Sequence, residues 1–305
     1  MELITGENDK GRRLDRILRK ALPDHPLPLI HRLLRQKQVL VNGKPGKAQD
    51  RIESGDNITI KSLKKILEKD FTSEPEVRRR QDAENAKKEI KEDFLNLCEI
   101  KFKGKPVSWL DCGLLAVNKP QGLEVHGANS LDTMVNNYLK DKLPASLSFK
   151  PGPLHRLDRP SSGIVVFSTN LEGAHFFSSL MHERKIKKTY LAIVDGKLEK
   201  EETWQDELIR NKDEKKTYVT NKNGDGKIAI TKVTPISVED NFTLIKAEII
   251  TGRTHQIRAQ AAAHGYPLTG DIKYGKKNNS GKSNFFLHAW KLEFLEYSIE
   301  APLPD

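Results

Sequence analysis

Apolar and polar residues follow different periods along this chain, and the change of period separates its parts. Two sets of apolar residues recur at helical spacing near the N-terminus: Leu14, Ile17 and Leu18, then Ile30, Leu33 and Leu34. Three prolines between the two sets break the chain. A strand over 39–41 running into an Asn-Gly turn, and a turn and strand over 55–60, complete the pattern. We therefore predict a small α/β domain over residues 1–60.

The pattern weakens after residue 60. From 61 to 97 the chain mixes lysine, arginine, aspartate and glutamate, contains few apolar residues and has no apolar face of its own. We therefore predict a charged linker, partly helical, that joins the first domain to a second one.

The remainder, residues 98–305, alternates β-rich apolar runs with turns and a few helical patterns. The strand candidates are 114–118, 164–168, 189–194, 229–233, 242–250 and 285–288. The helix candidates are 131–141, 171–183 and 254–264. Because strands and helices are interleaved irregularly rather than as βαβ units, the predicted fold class is α+β, with a mixed, largely antiparallel β-sheet flanked by helices.

The charge of the chain indicates what kind of partner it binds. The 305 residues carry a net charge of +10, with 31% charged and 36% hydrophobic residues, which indicates nucleic acid in preference to an acidic membrane surface. The chain begins with no leader pattern and has no run of about 18 apolar residues, so we expect a cytoplasmic protein. We also expect a monomer. Its two cysteines, Cys98 and Cys112, cannot form a disulfide framework and are expected to be structural thiols.

The main chemical signal is the run His155-Arg156-Leu157-Asp158-Arg159-Pro160-Ser161-Ser162-Gly163, which leads into the apolar strand 164–167. It places one acid in a basic turn, closed by glycine, against a buried strand, and such surroundings favour a reactive carboxylate. Asp158 is therefore the candidate catalyst. Taken alone, an acid at this position is most often a turn residue or a helix N-cap, so the interpretation depends on other segments.

Three further segments bring charged or hydrogen-bonding side chains to the ends of strands: 115–127, 187–196 and 251–258. Arg258, if it reaches Asp158, would keep that acid ionised and hold its geometry, and Tyr190 could stack under a base and accept or donate a proton through its hydroxyl. The spacing of the histidines does not match a zinc signature, so no metal is expected. His255 and His288 are predicted to be hydrogen-bonded structural residues.

These segments, with 270–275 and 286–289, resemble the pseudouridine synthases of the RluA family over residues 110–290. Residues 1–60, with Arg13-Leu14-Asp15 and Val41-Asn42-Gly43, resemble the S4 RNA-binding domain, an arrangement seen in ribosomal members of that family. The resemblance implies an isomerase that detaches uracil from ribose C1′ and rejoins it through C5 to give pseudouridine. It implies no cofactor, and it favours large-subunit ribosomal RNA as the substrate.

The resemblance also implies roles for single residues. The catalytic residues are Asp158, Tyr190 and Arg258, and the substrate-binding residues are His155, Arg156, Arg253 and Leu287. Arg156 would fill the stack left by a uridine that is flipped into the pocket, and His155 would also orient the turn. In the first domain the candidate RNA-binding residues, which would neutralise phosphates, are Arg13, Arg16, Arg32, Arg35 and Lys37.

Several alternatives stay open at this level. The substrate can be transfer RNA, or several RNA sites, instead of large-subunit ribosomal RNA. A protein of another class, an RNA-binding or ribosome-assembly factor with an idle synthase domain, is disfavoured by the intact set of Asp158, Tyr190 and Arg258. The sequence leaves undecided whether Asp158 attacks C1′, attacks C6 or assists elimination through a glycal.

Overall fold

The computed structural model describes residues 1–61, 112–220, 226–275 and 285–304, and the backbone of three short strands between 101 and 110. The described helices are α1 (Leu14–Ala21), α2 (Leu27–Arg35), α3 (Leu131–Leu139), α4 (Leu171–His182) and α5 (Gln256–Ala263), with a 3₁₀ turn at Glu7–Asp9. The described strands are β1 (Glu2–Ile4), β2 (Val39–Val41), β3 (Lys44–Pro45), β4 (Asn57–Ile60), β5 (Lys101–Phe102), β6 (Lys105–Pro106), β7 (Trp109–Leu110), β8 (Leu114–Lys119), β9 (Gly152–Pro153), β10 (Ser162–Ser168), β11 (Lys187–Asp195), β12 (Glu202–Asn211), β13 (Lys216–Thr220), β14 (Lys227–Val238), β15 (Phe242–Ile249), β16 (Leu287–Phe294) and β17 (Tyr297–Glu300).

The described residues form two compact units. The N-terminal unit contains 1–61, 136–152 and 169–171, and the C-terminal unit contains the rest. The predicted linker over 61–97 lies, apart from Lys61, outside the described residues, as does Cys98. The domain boundaries at 60 and 98 therefore stay a prediction.

The N-terminal unit places α1 and α2 with a four-stranded antiparallel sheet of order β1-β4-β2-β3. The apolar faces predicted for both helices are buried in one cluster with Val39, Ile52 and Ile58. Asn42 and Gly43 have φ values of 49° and 80°, as an Asn-Gly hairpin turn requires. The helices and strands predicted for residues 1–60 are confirmed.

Asp9 is a buried carboxylate in this unit, and its partners come from the segment 146–148. It accepts hydrogen bonds from the backbone N–H groups of Gly6 (2.9 Å), Leu147 (3.0 Å) and Ser148 (2.9 Å) and from the hydroxyls of Ser146 and Ser148. Burial opposes ionisation of this carboxyl, but the hydrogen bonds outweigh burial and hold the pKa of Asp9 below its ordinary value. Asp9 thus joins two segments that are distant in sequence.

Asp9→Asn is expected to lower the free energy of unfolding by about 2–4 kcal/mol, because the amide NH₂ would face N–H and O–H donors. Since the folded pKa is depressed, the contribution of Asp9 is present above an ordinary pKa of about 4 and is lost as the pH falls below it. Urea unfolding of wild type and variant at pH 7 and at lower pH measures both effects. The exposed Asp24→Asn is the matched control, and equal stability of the two variants would contradict this role.

The C-terminal unit is built on a long sheet in which the main path of strands runs β13-β12-β14-β15-β11-β16-β10-β8-β7. Its described neighbours are antiparallel except β10 and β16, which are parallel. Two buried clusters pack on it, one with Phe177 of α4 and one with Ile257 of α5. The α+β class and the mixed, largely antiparallel sheet are confirmed.

Gly163 allows the close approach of β10 to β16. Its φ is +105°, and a Cβ at this position would lie 2.3 Å from the carbonyl oxygen of Ala289. The approach brings Ser162 Oγ within 2.9 Å of His288 Nδ1 in the buried interior. His288 therefore has the structural role predicted for it.

The strands that were not predicted are β1, β5, β6, β7, β9, β12, β13 and β17. In β12 the buried residues Trp204 and Leu208 stand among charged residues, because the strand exposes much of one face, so its apolar content is low. The last predicted strand, 285–288, begins at Leu287 and continues to Phe294. None of the described helices is long and apolar enough to cross a membrane.

Candidate active site

Asp158 lies in a turn directly before β10. Its carbonyl oxygen accepts a hydrogen bond from the N–H of Ser161 (3.0 Å). Because β8 and β10 are antiparallel neighbours, the loop that follows β8 lies against this turn. Gly122 N–H donates to the carbonyl of Arg159 (2.8 Å), and Arg159 Nε donates to the carbonyl of Gly122 (3.0 Å). The pairing of these two loops fixes the backbone that carries Asp158.

Lys119, at the end of β8, is a fully buried lysine that holds the same two loops. Its ammonium donates to the carbonyls of Pro120 (2.9 Å), Leu123 (2.8 Å) and Arg159 (3.3 Å). Burial lowers its pKa to about 8, and the charge of Asp158 opposes that shift. Lys119 thus ties the loop that follows β8 to the backbone of the Asp158 turn.

Arg258, on α5, forms a buried ion-pair network with two carboxylates. Its Nη1 donates to Asp158 Oδ2 (2.9 Å), while Nε and Nη2 donate to the two oxygens of Asp271 (2.6 and 2.9 Å). The guanidinium carbon lies 4.9 Å from the ring centre of Tyr274 and 4.6 Å from that of Phe285. The Asp271 contact fixes the plane of the guanidinium, and Nη1 is thereby directed at Asp158.

The first turn of α5 is held by a hydrogen-bonded amide. Gln256 donates through Nε2 to the carbonyl of Ile230 (3.0 Å) and to Thr231 Oγ1 (2.9 Å). Its Oε1 accepts from the N–H of Arg253 (3.0 Å) and the hydroxyl of Thr251 (2.8 Å). This network ties the start of the helix to β14, and the helix in turn carries Arg258.

His255 precedes α5 and is the second side chain that faces Asp158. Its Nε2 lies 3.5 Å from Asp158 Oδ1, and its Nδ1 lies 2.7 Å from the hydroxyl of Tyr274, which itself accepts from Thr217 N–H (2.8 Å). Burial lowers the pKa of His255 to about 4, so the ring is neutral at pH 7. We assign the ring proton to Nε2, because Tyr274 then donates to Nδ1 and a donor faces the carboxylate. Both oxygens of Asp158 thus face N–H groups.

Tyr190, on β11, lines the same cleft as Asp158 and Arg258. Burial raises the pKa of its phenol far above the ordinary value, and the charge of Asp158 raises it further. The phenol is therefore neutral, so it can stack on a ring or donate a hydrogen bond, and it is a poor proton acceptor.

Three of the four residues predicted to bind substrate also line the cleft: Arg156, Arg253 and Leu287. His155 does not line it. Its Nε2 accepts the N–H of Val166 (3.1 Å), and its ring stacks on Phe177 at 6.1 Å. Burial lowers the pKa of His155 to about 3, so it is a neutral residue that orients the turn behind Asp158. A direct contact with substrate is not supported for His155.

The basic residues predicted to bind RNA lie on the N-terminal unit. Four of the five are exposed: Arg16, Arg32, Arg35 and Lys37. Arg13 is half-buried, and its guanidinium is paired with Asp15 at 2.7 and 3.1 Å. These four side chains expose positive charge at the surface. Arg13 would have to leave its ion pair with Asp15 to contact a phosphate.

Sequence reasoning did not single out Lys119, Asp271 or Tyr274, and it gave His255 a purely structural role. All four belong to segments that the resemblance covers. Their positions in the sequence alone do not reveal that they lie at or next to the Asp158 site. Among the described residues no group of three or more His, Cys, Asp or Glu side chains is placed to hold a metal ion.

Comparison with known proteins gives two family matches. The model of the RNA pseudouridylate synthase family matches residues 113–263, and that of the S4 domain matches residues 12–58. Among similar sequences, the Ribosomal large subunit pseudouridine synthase C of Rickettsia conorii is 32% identical over 304 residues, covering 96% of this chain and 94% of the relative. The protein of the same name from Haemophilus influenzae is 29% identical over 302 residues, covering 96% and 86%.

A solved structure has the same fold. Human RNA Pseudouridylate Synthase Domain Containing 4 superposes with a TM-score of 0.58 at 21% identity, covering 73% of this chain and 94% of that one. At this level of identity the likeness extends to the fold.

Proposed function

Because the chain belongs to the RNA pseudouridylate synthase family, and is therefore an isomerase that acts on uridine in RNA, we propose that it modifies large-subunit ribosomal RNA with Asp158 as the essential carboxylate. The names of full-length relatives from two bacteria support this substrate. The proposal places the protein in the cytoplasm, with its substrate.

The arrangement of donors around Asp158 carries the proposal. The isomerisation breaks the N1–C1′ bond, forms a C5–C1′ bond, and moves a proton from C5 to N1 overall. Breaking the glycosidic bond develops positive charge at C1′, which a nearby carboxylate stabilises or attacks. Arg258 contacts Oδ2 of Asp158 and His255 faces Oδ1, and 21% of the Asp158 side chain stays exposed. A carboxylate held in this way is preorganised for a substrate in the cleft.

Tyr190 and Arg156 take supporting roles. The neutral phenol of Tyr190 stacks against the uracil ring while the base is detached and turned. A uridine within a helix would have to leave its stack to reach the cleft, at a cost of a few kcal/mol. Arg156 is exposed at the rim of the cleft, where its guanidinium can occupy the vacated space and contact phosphate.

The N-terminal unit supplies binding without sequence selection. Arg16, Arg32, Arg35 and Lys37 present exposed positive charge to the phosphate backbone, and each phosphate contact adds affinity that salt weakens. The selection of the uridine then depends on the cleft of the C-terminal unit.

A pseudouridine map of total RNA from cells with and without this gene tests the substrate. Loss of one or more sites in large-subunit ribosomal RNA is the expected result. Loss confined to transfer RNA would overturn the proposed substrate while leaving the activity in place. No change at any site, in cells where the protein is produced, would contradict both.

Tyr274→Phe is expected to lower kcat about tenfold with little change in KM, because His255 loses the hydroxyl that sets its tautomer and orientation toward Asp158. Release of tritium from C5-labelled uridine in the RNA measures the rate. The matched control is Tyr218→Phe, whose exposed hydroxyl pairs with Glu214 outside the cleft. Equal rates for the two variants would remove Tyr274 and its partner from the mechanism.

A further inference from the structure

A second cavity, of about 230 Å³, lies beside the cleft of Asp158. Its lining includes Arg184, Ile186, Lys188, Ile249, Ile250 and Arg253. The two cavities share Ile249 and Arg253, so they adjoin one another. None of the described residues that line the second cavity is acidic.

Lys188 is the unusual member of this lining. It is partly buried, and burial lowers its pKa to about 8. Its neighbour Lys187 is exposed and lies within 4 Å of two carboxylates, those of Glu248 (3.4 Å) and Glu293 (3.9 Å). Successive side chains of a strand point to opposite faces, so the two lysines have opposite surroundings on one strand. Lys188 carries a cation into a partly desolvated pocket and faces no carboxylate on the pocket wall.

The position of Lys188 on β11 connects it to the reaction site. Lys188 and Tyr190 are two residues apart and therefore lie on the same face of the strand. Tyr190 lines the cleft of Asp158 and Lys188 lines the second cavity, with Ile249 in both linings. Because the two linings share Ile249 and Arg253, an RNA strand that enters the cleft would also meet the second cavity.

We propose that the cavity around Lys188, with Arg184 and Arg253 at its sides, binds a backbone phosphate of the nucleotide next to the target uridine. This inference rests on the proposed flipping of uridine into the cleft of Asp158. A phosphodiester supplies the negative charge that the pocket lacks, and the apolar side chains of Ile186, Ile249 and Ile250 provide contact area for the attached ribose. Because both groups are partly removed from water, the contact is stronger than one between exposed charges.

The site would fix the distance along the RNA between a held phosphate and the base that is turned out. It therefore acts on the binding and register of the substrate rather than on the bond-breaking step. Loss of Lys188 is accordingly expected to change KM and Kd, with a smaller change in kcat.

The experiment compares Lys188→Met with its neighbour Lys187→Met, which removes the same charge from the opposite face of the strand. The full-length proteins are titrated into a large-subunit ribosomal RNA transcript across a series of KCl concentrations. We expect Lys188→Met to bind about tenfold more weakly. We also expect the negative slope of log K against log salt to become shallower by about 0.7, because one phosphate contact is lost. Lys187→Met is expected to change both by much less, and Lys188→Arg to retain most of the affinity.

A second measurement identifies the ligand group. In a short RNA around the mapped uridine, each phosphate in turn is replaced by a neutral methylphosphonate. One replacement next to the target is expected to weaken wild type about tenfold and to have no further effect on Lys188→Met. If every replacement weakens both proteins alike, or if Lys188→Met and Lys187→Met bind equally, the inference is wrong.

Failure of the inference is separable from failure of the proposed function. Pseudouridine formed by wild type on the same transcript tests the function, whatever Lys188 does. Thermal unfolding of each variant keeps a folding defect from being taken for a binding defect. Because methionine is an apolar replacement for a partly buried lysine, Lys188→Met is expected to unfold no more readily than wild type.

Discussion

Asp158→Asn is expected to lower kcat by about 10³- to 10⁵-fold, equivalent to about 4–7 kcal/mol of lost transition-state stabilisation. The amide keeps the shape of the carboxylate but carries no charge to stabilise or attack C1′. Arg258 remains paired with Asp271 through two hydrogen bonds, so the loss of charge leaves the guanidinium in place. RNA binding is therefore expected to change by less than about threefold.

Single-turnover formation of pseudouridine, with enzyme in excess over RNA, measures this prediction. The control is Asp240→Asn, which makes the same change at a 93% exposed side chain paired with Lys197. If Asp158→Asn turned over within tenfold of wild type, Asp158 would have no essential role. If it failed to bind RNA, the loss of activity would have a different cause.

Arg258→Gln is expected to have the second largest effect, on both stability and activity. It leaves Asp271, whose side chain is fully buried, without its cation, and breaking a buried pair of this kind costs about 3–5 kcal/mol. It also removes the hydrogen bond to Asp158 Oδ2, and kcat is expected to fall by about 10²-fold in the protein that remains folded.

Asp271→Asn, combined with Arg258→Gln, separates the two effects. The double variant no longer buries the Asp271 carboxylate without Arg258, so its free energy of unfolding is expected to recover part of what Arg258→Gln lost, while kcat stays low. Urea unfolding and single-turnover rates on the same preparations give both quantities. Recovery of activity together with stability would mean that Arg258 serves the fold alone.

The main elements around the site could be predicted because their patterns are local. The helix predicted over 254–264 is observed as α5, and the strand predicted over 164–168 is observed within β10. β10 contains the short apolar run 164–167 and is buried throughout, and α5 is a run of Gln, Ile, Arg and Ala without glycine or proline. Both patterns can be recognised from neighbouring residues in the sequence. β12 was missed because its buried residues are sparse among charged ones.

The partners of Asp158 were predicted only in part. The pairing with Arg258 followed from the resemblance and is present at 2.9 Å. Asp271, which pairs with Arg258, and His255, which faces Asp158, were not assigned to the site, because contacts between separate segments leave no periodic signal in one sequence. The left-handed backbone of His255 (φ 55°), which turns the chain into α5, is likewise set by its surroundings.

The sequence by itself determined the fold class, the family and the two main helices of the N-terminal unit, and it singled out Asp158 as the acid proposed to be the catalyst. These features depend on local periodicity, turn chemistry and motifs, and all of them act over a few neighbouring residues. Only the tertiary structure decided that Lys119 hydrogen-bonds two loops and that Asp271 orients Arg258. It also decided that His155 packs on Phe177 and that Lys188 lines a cavity. The physical reason is that burial and hydrogen-bond partners are properties of the packed chain, and they give identical residue types opposite roles, as at Lys187 and Lys188.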